Sequence, residues 1–511
     1  MHLPIRQQVT RFQDSPAFRT ATDVVTGQHL LKAASANALA LLQQSEDLGE
    51  ARVGLLVPAD HRFPAALWGI WQAGGIAVPM CLSATDPEWE YCFDDAGVSA
   101  VLTSAHLLDR LRPLCEARGI RLLCCANPAG DPPADLVTDA AALPAVSTDR
   151  RAMILYTSGT TSRPKGVVTT HACIQAQIES LVQAWDWQST DRIPLFLPLH
   201  HIHGIINVVS CALYCGALIE PFDGFEPQAV LQRLQQDAFT VFMAVPTIYV
   251  RLIRMIEQLP PAERQSVCHA FARLRLMVSG SAALPASVHA HWYALTGQML
   301  LERYGMTEIG MALSNPLRGE RRPGAVGVPL PGVDAVLYDE HGGQITEEHQ
   351  PGEIRIRGAA VFREYWQRPE ATASAFRDGW FCTGDVAVLE QGYFRILGRQ
   401  SVDIIKSGGY KLSALEIEAT LLEHPAVREC AVVGLADETW GEAVAAAMAL
   451  QPGCQLDLPQ LKEWCRERLS YYKLPKQLLI CEALPRNAMG KVVKPQVQQL
   501  FTQRSEEGQV S

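Results

Sequence analysis

The densest run of reactive and hydrogen-bonding groups in the 511-residue chain is Tyr156-Thr157-Ser158-Gly159-Thr160-Thr161-Ser162-Arg163-Pro164-Lys165-Gly166, which follows the strand-like Ala152-Met153-Ile154-Leu155. Hydroxyls and glycines crowded between structured elements offer O–H and backbone N–H donors with little bulk, which is what a string of phosphates requires. Lys165 adds a mobile positive charge. The order Gly-x-x-x-x-Gly-Lys-Ser/Thr is absent, so the loop is not that of the P-loop NTPases. A polar surface turn has no need of such a density of Thr, Ser and Gly beside a lysine.

Other groups fit the same ligand. Glu308, in Tyr304-Gly305-Met306-Thr307-Glu308, is a hard oxygen donor of the kind Mg2+ takes, next to the Thr307 hydroxyl. Ser279-Gly280-Ser281-Ala282-Ala283 ends the strand-like Leu276-Met277-Val278. Its small side chains either let a flat base lie against the backbone or serve a tight strand-to-helix turn. Asp385 in Thr383-Gly384-Asp385 and Arg399 in Gly398-Arg399 would, each alone, read as partners in a surface salt bridge. Pro485-Arg486-Asn487-Ala488-Met489-Gly490-Lys491 places a glycine-flanked lysine on a loop near the C-terminus. His200, His201 and His203 suggest a metal, but no fourth ligand stands at a suitable spacing.

In this order the motifs resemble the adenylate-forming superfamily of acyl-CoA synthetases, luciferases and peptide-synthetase adenylation domains, along nearly the whole chain. The resemblance implies ATP and Mg2+ as reactant and metal, and a carboxylate that attacks the α-phosphorus in line while pyrophosphate leaves. The acyl group of the resulting adenylate would then pass to a thiol, that of coenzyme A. The resemblance places Thr157, Ser158, Gly159, Thr160, Thr161 and Lys165 on the phosphates, and Ser281 and Ala282 beside the adenine. It assigns Tyr304 and Thr307 to the nucleotide, Glu308 to the metal, Asp385 and Arg399 to the ribose, and Lys491 to the α-phosphoryl oxygen as the catalytic lysine. His201 falls beside the acyl pocket, while for His200 and His203 a buried structural role competes. Ser407, Gly408 and Gly409 would line the tunnel for the thiol of CoA after the small domain rotates about a pivot near Ser401 to Asp403. The chain departs from the family at Ser162, where glycine is usual.

Three local runs, 277–285, 301–308 and 401–406, resemble the malonyl-CoA synthetase branch of that superfamily, including its mitochondrial acyl-CoA synthetase member 3 type. In that branch the residues matching Arg303 and, in bacterial members, Arg251 hold the distal carboxylate of the acid. A buried anion needs a charge-assisted partner, whereas two arginines beside a fatty chain would be costly. Arg251 either borders the acyl pocket or lies with Arg254 on a solvated helix face. Malonate is the expected substrate, with methylmalonate accepted where Met306 and the adjoining wall leave room for a methyl group. A general short- or medium-chain fatty acid–CoA ligase and an adenylation enzyme loading a carrier protein are the competing readings.

These residues need a scaffold, and the pattern supplies an α/β one. Short β-rich runs such as Val53 to Val57 and Ala100 to Leu102 alternate with helical stretches such as Phe63 to Ala73. From about 324 to 398, β-rich runs separated by Gly and Pro turns predict a barrel-like subdomain, with strands at Gly352 to Gly358 and Tyr393 to Leu397. Residues 1–398 therefore form a large body, and 399–511 a small mobile α+β domain with helices at Ala414 to His424 and Leu458 to Leu469.

The composition is globular, 48% apolar and 19% charged, and the net charge of -10 with scattered Lys and Arg argues against nucleic acid. No stretch approaches the roughly 18 uninterrupted apolar residues of a membrane span. The fourteen cysteines follow neither zinc nor disulfide spacing, and the first residues have no apolar signal core. A cytoplasmic setting is expected, mitochondrial if the source is eukaryotic, with the enzyme a monomer or homodimer.

Overall fold

The computed structural model describes residues 4–130, 143–157, 164–407, 410–437, 440–486 and 492–506. Ser158, Gly159, Thr160, Thr161, Ser162, Gly408, Gly409 and Lys491 lie outside the described residues.

Besides a four-stranded sheet ordered Val24–Thr26, Pro16–Arg19, Leu218–Pro221 and Arg192–Leu195, two layered sheets carry the body's site segments. The first has seven strands in the order Glu364–Tyr365, Lys165–Thr170, Arg151–Thr157, Ile76–Pro79, Arg52–Leu56, Val98–Thr103 and Arg121–Cys124. The five from Arg151–Thr157 onward run parallel, whereas Lys165–Thr170 returns antiparallel beside Arg151–Thr157. Parallel strands covered on both faces read as apolar runs, and Ile76–Pro79 is buried at every position. On this sheet the helix Gly27–Leu42 packs against Arg62–Gln72. Their approach requires a glycine, since a Cβ at Gly69 would lie 2.5 Å from Asn37 and 2.9 Å from the Ala34 carbonyl oxygen.

The second sheet runs Val241–Ala244, Leu276–Ser279, Leu301–Met306, Gly310–Ser314, Val328–Pro329. Its first three strands are parallel. Consequently the segments that follow them, Gly280-Ser281 and Thr307-Glu308 among them, emerge at the carboxyl edge where open α/β sheets bind ligands.

Residues 333–399 form an antiparallel six-stranded half-barrel centred on Trp380–Glu390, with Ile354, Ile356, Phe362, Phe381 and Phe394 in its core. The expected strands are there, Gly352–Gly358 and Tyr393–Arg399. The body's clusters extend to Ile396, and those of the C-terminal unit begin at Ile405. That unit is a five-stranded sheet with helices Ala414–Leu422, Leu458–Arg466 and Lys494–Glu506.

One buried acid in the second sheet has a measurable consequence. The Glu302 carboxylate accepts the Gly324 N–H at 2.8 Å, and burial pushes its carboxyl from 4.5 up to about 8. The folded state therefore holds this proton more tightly than the unfolded chain, so its contribution to stability is complete below about pH 4.5 and is lost as pH rises through 8. Glu302→Gln keeps an acceptor for Gly324 and removes the titration. We expect its Tm to exceed that of the wild type by a few degrees at pH 9 and not at pH 5, by scanning calorimetry.

Candidate active site

The hydroxyl- and glycine-rich run of the sequence is flanked by the antiparallel strands Arg151–Thr157 and Lys165–Thr170, in which Thr157 pairs with Lys165. Its base is fastened from three directions. Tyr91 donates to the Pro164 carbonyl oxygen at 2.7 Å, Tyr156 donates to the Asp95 carboxylate at 2.8 Å, and Arg368 closes an ion pair with the same acid at 2.7 Å.

Beyond the hairpin, Lys165 stands 5.3 Å above the Tyr365 ring, and the Tyr365 hydroxyl donates to Glu308 Oε1 at 2.9 Å. Glu308 is only 6% exposed. Burial raises its carboxyl above the usual range, opposed by the Tyr365 hydrogen bond and the Arg399 charge. A buried carboxylate facing a neutral phenol is an incompletely compensated anion, which suits a cation. No cluster of three or more His, Cys, Asp or Glu that could hold a metal occurs among the described residues, so a metal here would draw its other oxygens from the nucleotide and water.

Asp385 and Arg399 face each other across neighbouring strands of the half-barrel. Arg399 Nε lies 3.6 Å from Asp385 Oδ1, and its Nη2 donates to the Thr383 carbonyl oxygen at 2.7 Å. Tyr304 donates to Asp385 Oδ2 at 2.6 Å. Burial raises the Asp385 carboxyl, while Arg399 opposes the shift. Tyr304, Glu308, Asp385 and Arg399, from two layers of the body, thus converge with Lys165. A β-bulge at Tyr304-Gly305 sets this up, because a Cβ at Gly305 would lie 2.2 Å from the Gly310 carbonyl oxygen. Met306 and Thr307 are half-buried just beyond it.

At the adjoining edge, Ser281 and Ala282 are exposed, and Ser281 holds φ at 69°, a left-handed conformation uncommon for a residue with a Cβ. The Arg303 guanidinium lies flat on the backbone here, 2.5 Å from where a Cβ on Gly280 would be. Arg303 is 4% exposed and gives Ser281 Oγ one hydrogen bond, at 3.3 Å. Its Nε has no partner, no carboxylate among the described residues pairs with it, and burial pulls it down to about 10. His201 is half-buried with its ring 4.2 Å from that of His200.

Arg251 stands elsewhere. On the helix Pro246–Gln258 it is exposed, as is Arg254, with its guanidinium 5.7 Å above the Phe225 ring. The helix buries Tyr249, Leu252, Ile253 and Ile256, which turns position 251 toward solvent. That exposure matches the solvated alternative for Arg251. Ser407 is buried at the end of Ile404–Ser407, its hydroxyl without a partner among the described residues.

The sequence reading missed several contributors. Tyr365 pairs with Val167 on the first sheet and so links Lys165 to Glu308, a long-range contact without local signal. Lys494 bridges Asp403 and Glu418 at the foot of the small domain, where its C-terminal helix meets the proposed pivot. Tyr410 stacks on Tyr472 at 4.5 Å, and Lys476 lies 3.2 Å above the Trp440 ring.

Family comparison agrees with this geometry. The model described as AMP-binding enzyme matches residues 5–366, and that of the AMP-binding enzyme C-terminal domain matches 416–491. The chain belongs to the AMP-binding enzyme family. It is 44% identical over 493 residues to the mitochondrial malonate–CoA ligase ACSF3 of Mus musculus, covering 91% of this chain and 84% of that protein. Among solved structures it resembles ATP-bound MatB from Rhodopseudomonas palustris, with a TM-score of 0.86 and 32% identity over 98% of this chain and 99% of that one. A malonyl-CoA ligase product complex with methylmalonyl-CoA and AMP gives a TM-score of 0.67 and 34% identity, over 93% and 97% of the two chains.

Proposed function

We propose that the protein is an AMP-forming ligase that joins malonate to coenzyme A through malonyl-AMP, and that it accepts methylmalonate as well. The observation that carries this reading is Arg303, a buried guanidinium whose Nε–H has no partner and which pairs with no carboxylate among the described residues. A guanidinium stays charged, and one taken from water without a counter-ion is costly. An aliphatic acyl tail offers no compensation, whereas the second carboxylate of a short dicarboxylic acid does.

In the first half-reaction one malonate carboxylate attacks the α-phosphorus. The new P–O bond forms as the bond to the pyrophosphate oxygen breaks. The loop from Thr157 to Lys165 holds the phosphates, Asp385 accepts from the ribose hydroxyls with Arg399 beside it, and Ser281 and Ala282 border the base. Glu308 would hold Mg2+ together with phosphate oxygens, and the ion would neutralise charge on the triphosphate. Lys491 stabilises the α-phosphoryl oxygen, and Thr307, Met306 and His201 shape the space between phosphorus and acid. In the second half-reaction the CoA thiolate attacks the acyl carbon and AMP leaves. Ser407, Gly408 and Gly409 would line its approach once the domain 399–511 has turned on the body 1–398. The flat aromatic pair Tyr410 and Tyr472 on the same unit suits the nucleotide end of CoA.

No helix among the described residues is long and apolar enough to cross a membrane. Fourteen free thiols suit a reducing setting, cytoplasmic or mitochondrial.

The test separates the half-reactions. With ATP, Mg2+ and malonate, pyrophosphate release without CoA should stop near one equivalent of enzyme, and CoA should convert it to steady turnover with AMP as product. Turnover releasing ADP and phosphate would refute the reading. Tyr365→Phe removes the hydroxyl that orients Glu308 and should raise the Mg2+ needed for half-maximal adenylation by about tenfold, measured by metal titration.

A further inference from the structure

Arg303 has a neighbour that the sequence leaves as a structural histidine. His203 opens the π-helical turn His203–Ser210 and is 5% exposed. Its Nδ1 lies 3.2 Å from Ser281 Oγ, the oxygen that also accepts from Arg303 Nη2 at 3.3 Å. A guanidinium only donates, so the serine oxygen accepts there, and its single hydrogen is free to turn to His203 Nδ1, the arrangement taken here. An accepting Nδ1 puts the ring proton of the neutral imidazole on Nε2. Burial first, and then the Arg303 charge, keep the ring neutral.

That Nε2–H is buried and has no partner among the described residues, and the same is true of Arg303 Nε. Four residues along the same helix, Asn207 is buried with both amide atoms unpartnered. A buried donor left unsatisfied costs about 1–3 kcal/mol, so the unsatisfied His203 and Arg303 nitrogens, both on side chains that meet the Ser281 hydroxyl, mark a place completed by something else. Resting on the malonate reading above, we propose that His203 is a specificity-determining residue whose Nε2–H donates, beside Arg303, to the distal carboxylate of the short dicarboxylic acid, with Ser281 fixing its tautomer. The arginine supplies charge. The histidine supplies a second, directional donor, which an acid ending in a methyl group leaves unpaired.

The experiment compares kcat/KM for malonate and butyrate in the wild type, His203→Phe, His203→Gln and Arg303→Ala. His203→Phe keeps a ring and removes the donor, and the malonate-to-butyrate ratio should fall by about 10- to 100-fold, mainly through KM for malonate. His203→Gln carries an amide donor and should recover part of that ratio. If His203→Phe does not fold, Ser281→Ala, at an exposed position, should lower the ratio by releasing the tautomer. An unchanged ratio in His203→Phe, or in Ser281→Ala in its place, alongside a collapsed ratio in Arg303→Ala overturns the role of His203 and leaves the malonate reading standing. A ratio unmoved in Arg303→Ala as well strikes at the malonate reading itself.

Discussion

Arg303→Ala should lower kcat/KM for malonate by about 100- to 1,000-fold, the range expected when a charged partner is withdrawn from a buried carboxylate. The substrate would then have to bring its second negative charge into a site whose nearest remaining donor, the His203 Nε2–H, is neutral. The loss should appear in both KM and kcat, because an acid that is not held at its far end no longer presents its near carboxylate to the α-phosphorus in line. For butyrate the same substitution removes an unpaired buried charge and enlarges the pocket, so the malonate-to-butyrate ratio should fall by nearly as much as the malonate rate. Steady-state kinetics on the two acids gives the answer. A similar loss for both would mean that Arg303 supports the fold of the Leu301–Met306 strand rather than the acid.

Lys491→Ala should remove most of the adenylation rate, about 100- to 1,000-fold, while thioester formation from supplied acyl-adenylate and CoA stays within a few-fold of wild type. The reason is where charge develops. In the first half-reaction the α-phosphoryl group gains charge as the carboxylate oxygen arrives and pyrophosphate departs, and a positioned ammonium stabilises that transition state more than the ground state. In the second, charge develops on the acyl carbonyl oxygen and then on the departing AMP phosphate, and the small domain that carries Lys491 would by then have turned to admit the thiol. Pyrophosphate release for the one step and thioester yield for the other separate the two. Equal losses would contradict the assignment.

What could be read in the sequence was what lies close together along it. The Thr-, Ser- and Gly-rich run from Thr157 to Ser162 stands out in the sequence because so many donors crowd into a few residues, and Arg303 because it abuts the Tyr304 motif on its strand. Strands such as Gly352–Gly358 were visible as runs bounded by glycine. The solvated alternative for Arg251 was also legible, since the buried positions 249, 252, 253 and 256 define a helix stripe that excludes it. What could not be read were the meetings of distant segments. Tyr365 reaches Glu308 only because a two-residue strand pairs with the far side of the phosphate hairpin. In His200-His201-Ile202-His203 nothing local says which ring turns toward Ser281, because that depends on where the π-helical turn begins relative to the carboxyl edge of the second sheet.

The central claim is that a buried arginine selects a dicarboxylic acid. Its most direct test is competition in one vessel, with equal concentrations of malonate, acetate, butyrate and octanoate offered to the purified protein with ATP, Mg2+ and limiting CoA, and the thioesters resolved by mass. Malonyl-CoA should dominate the products. A mixture led by octanoyl-CoA or acetyl-CoA would contradict it.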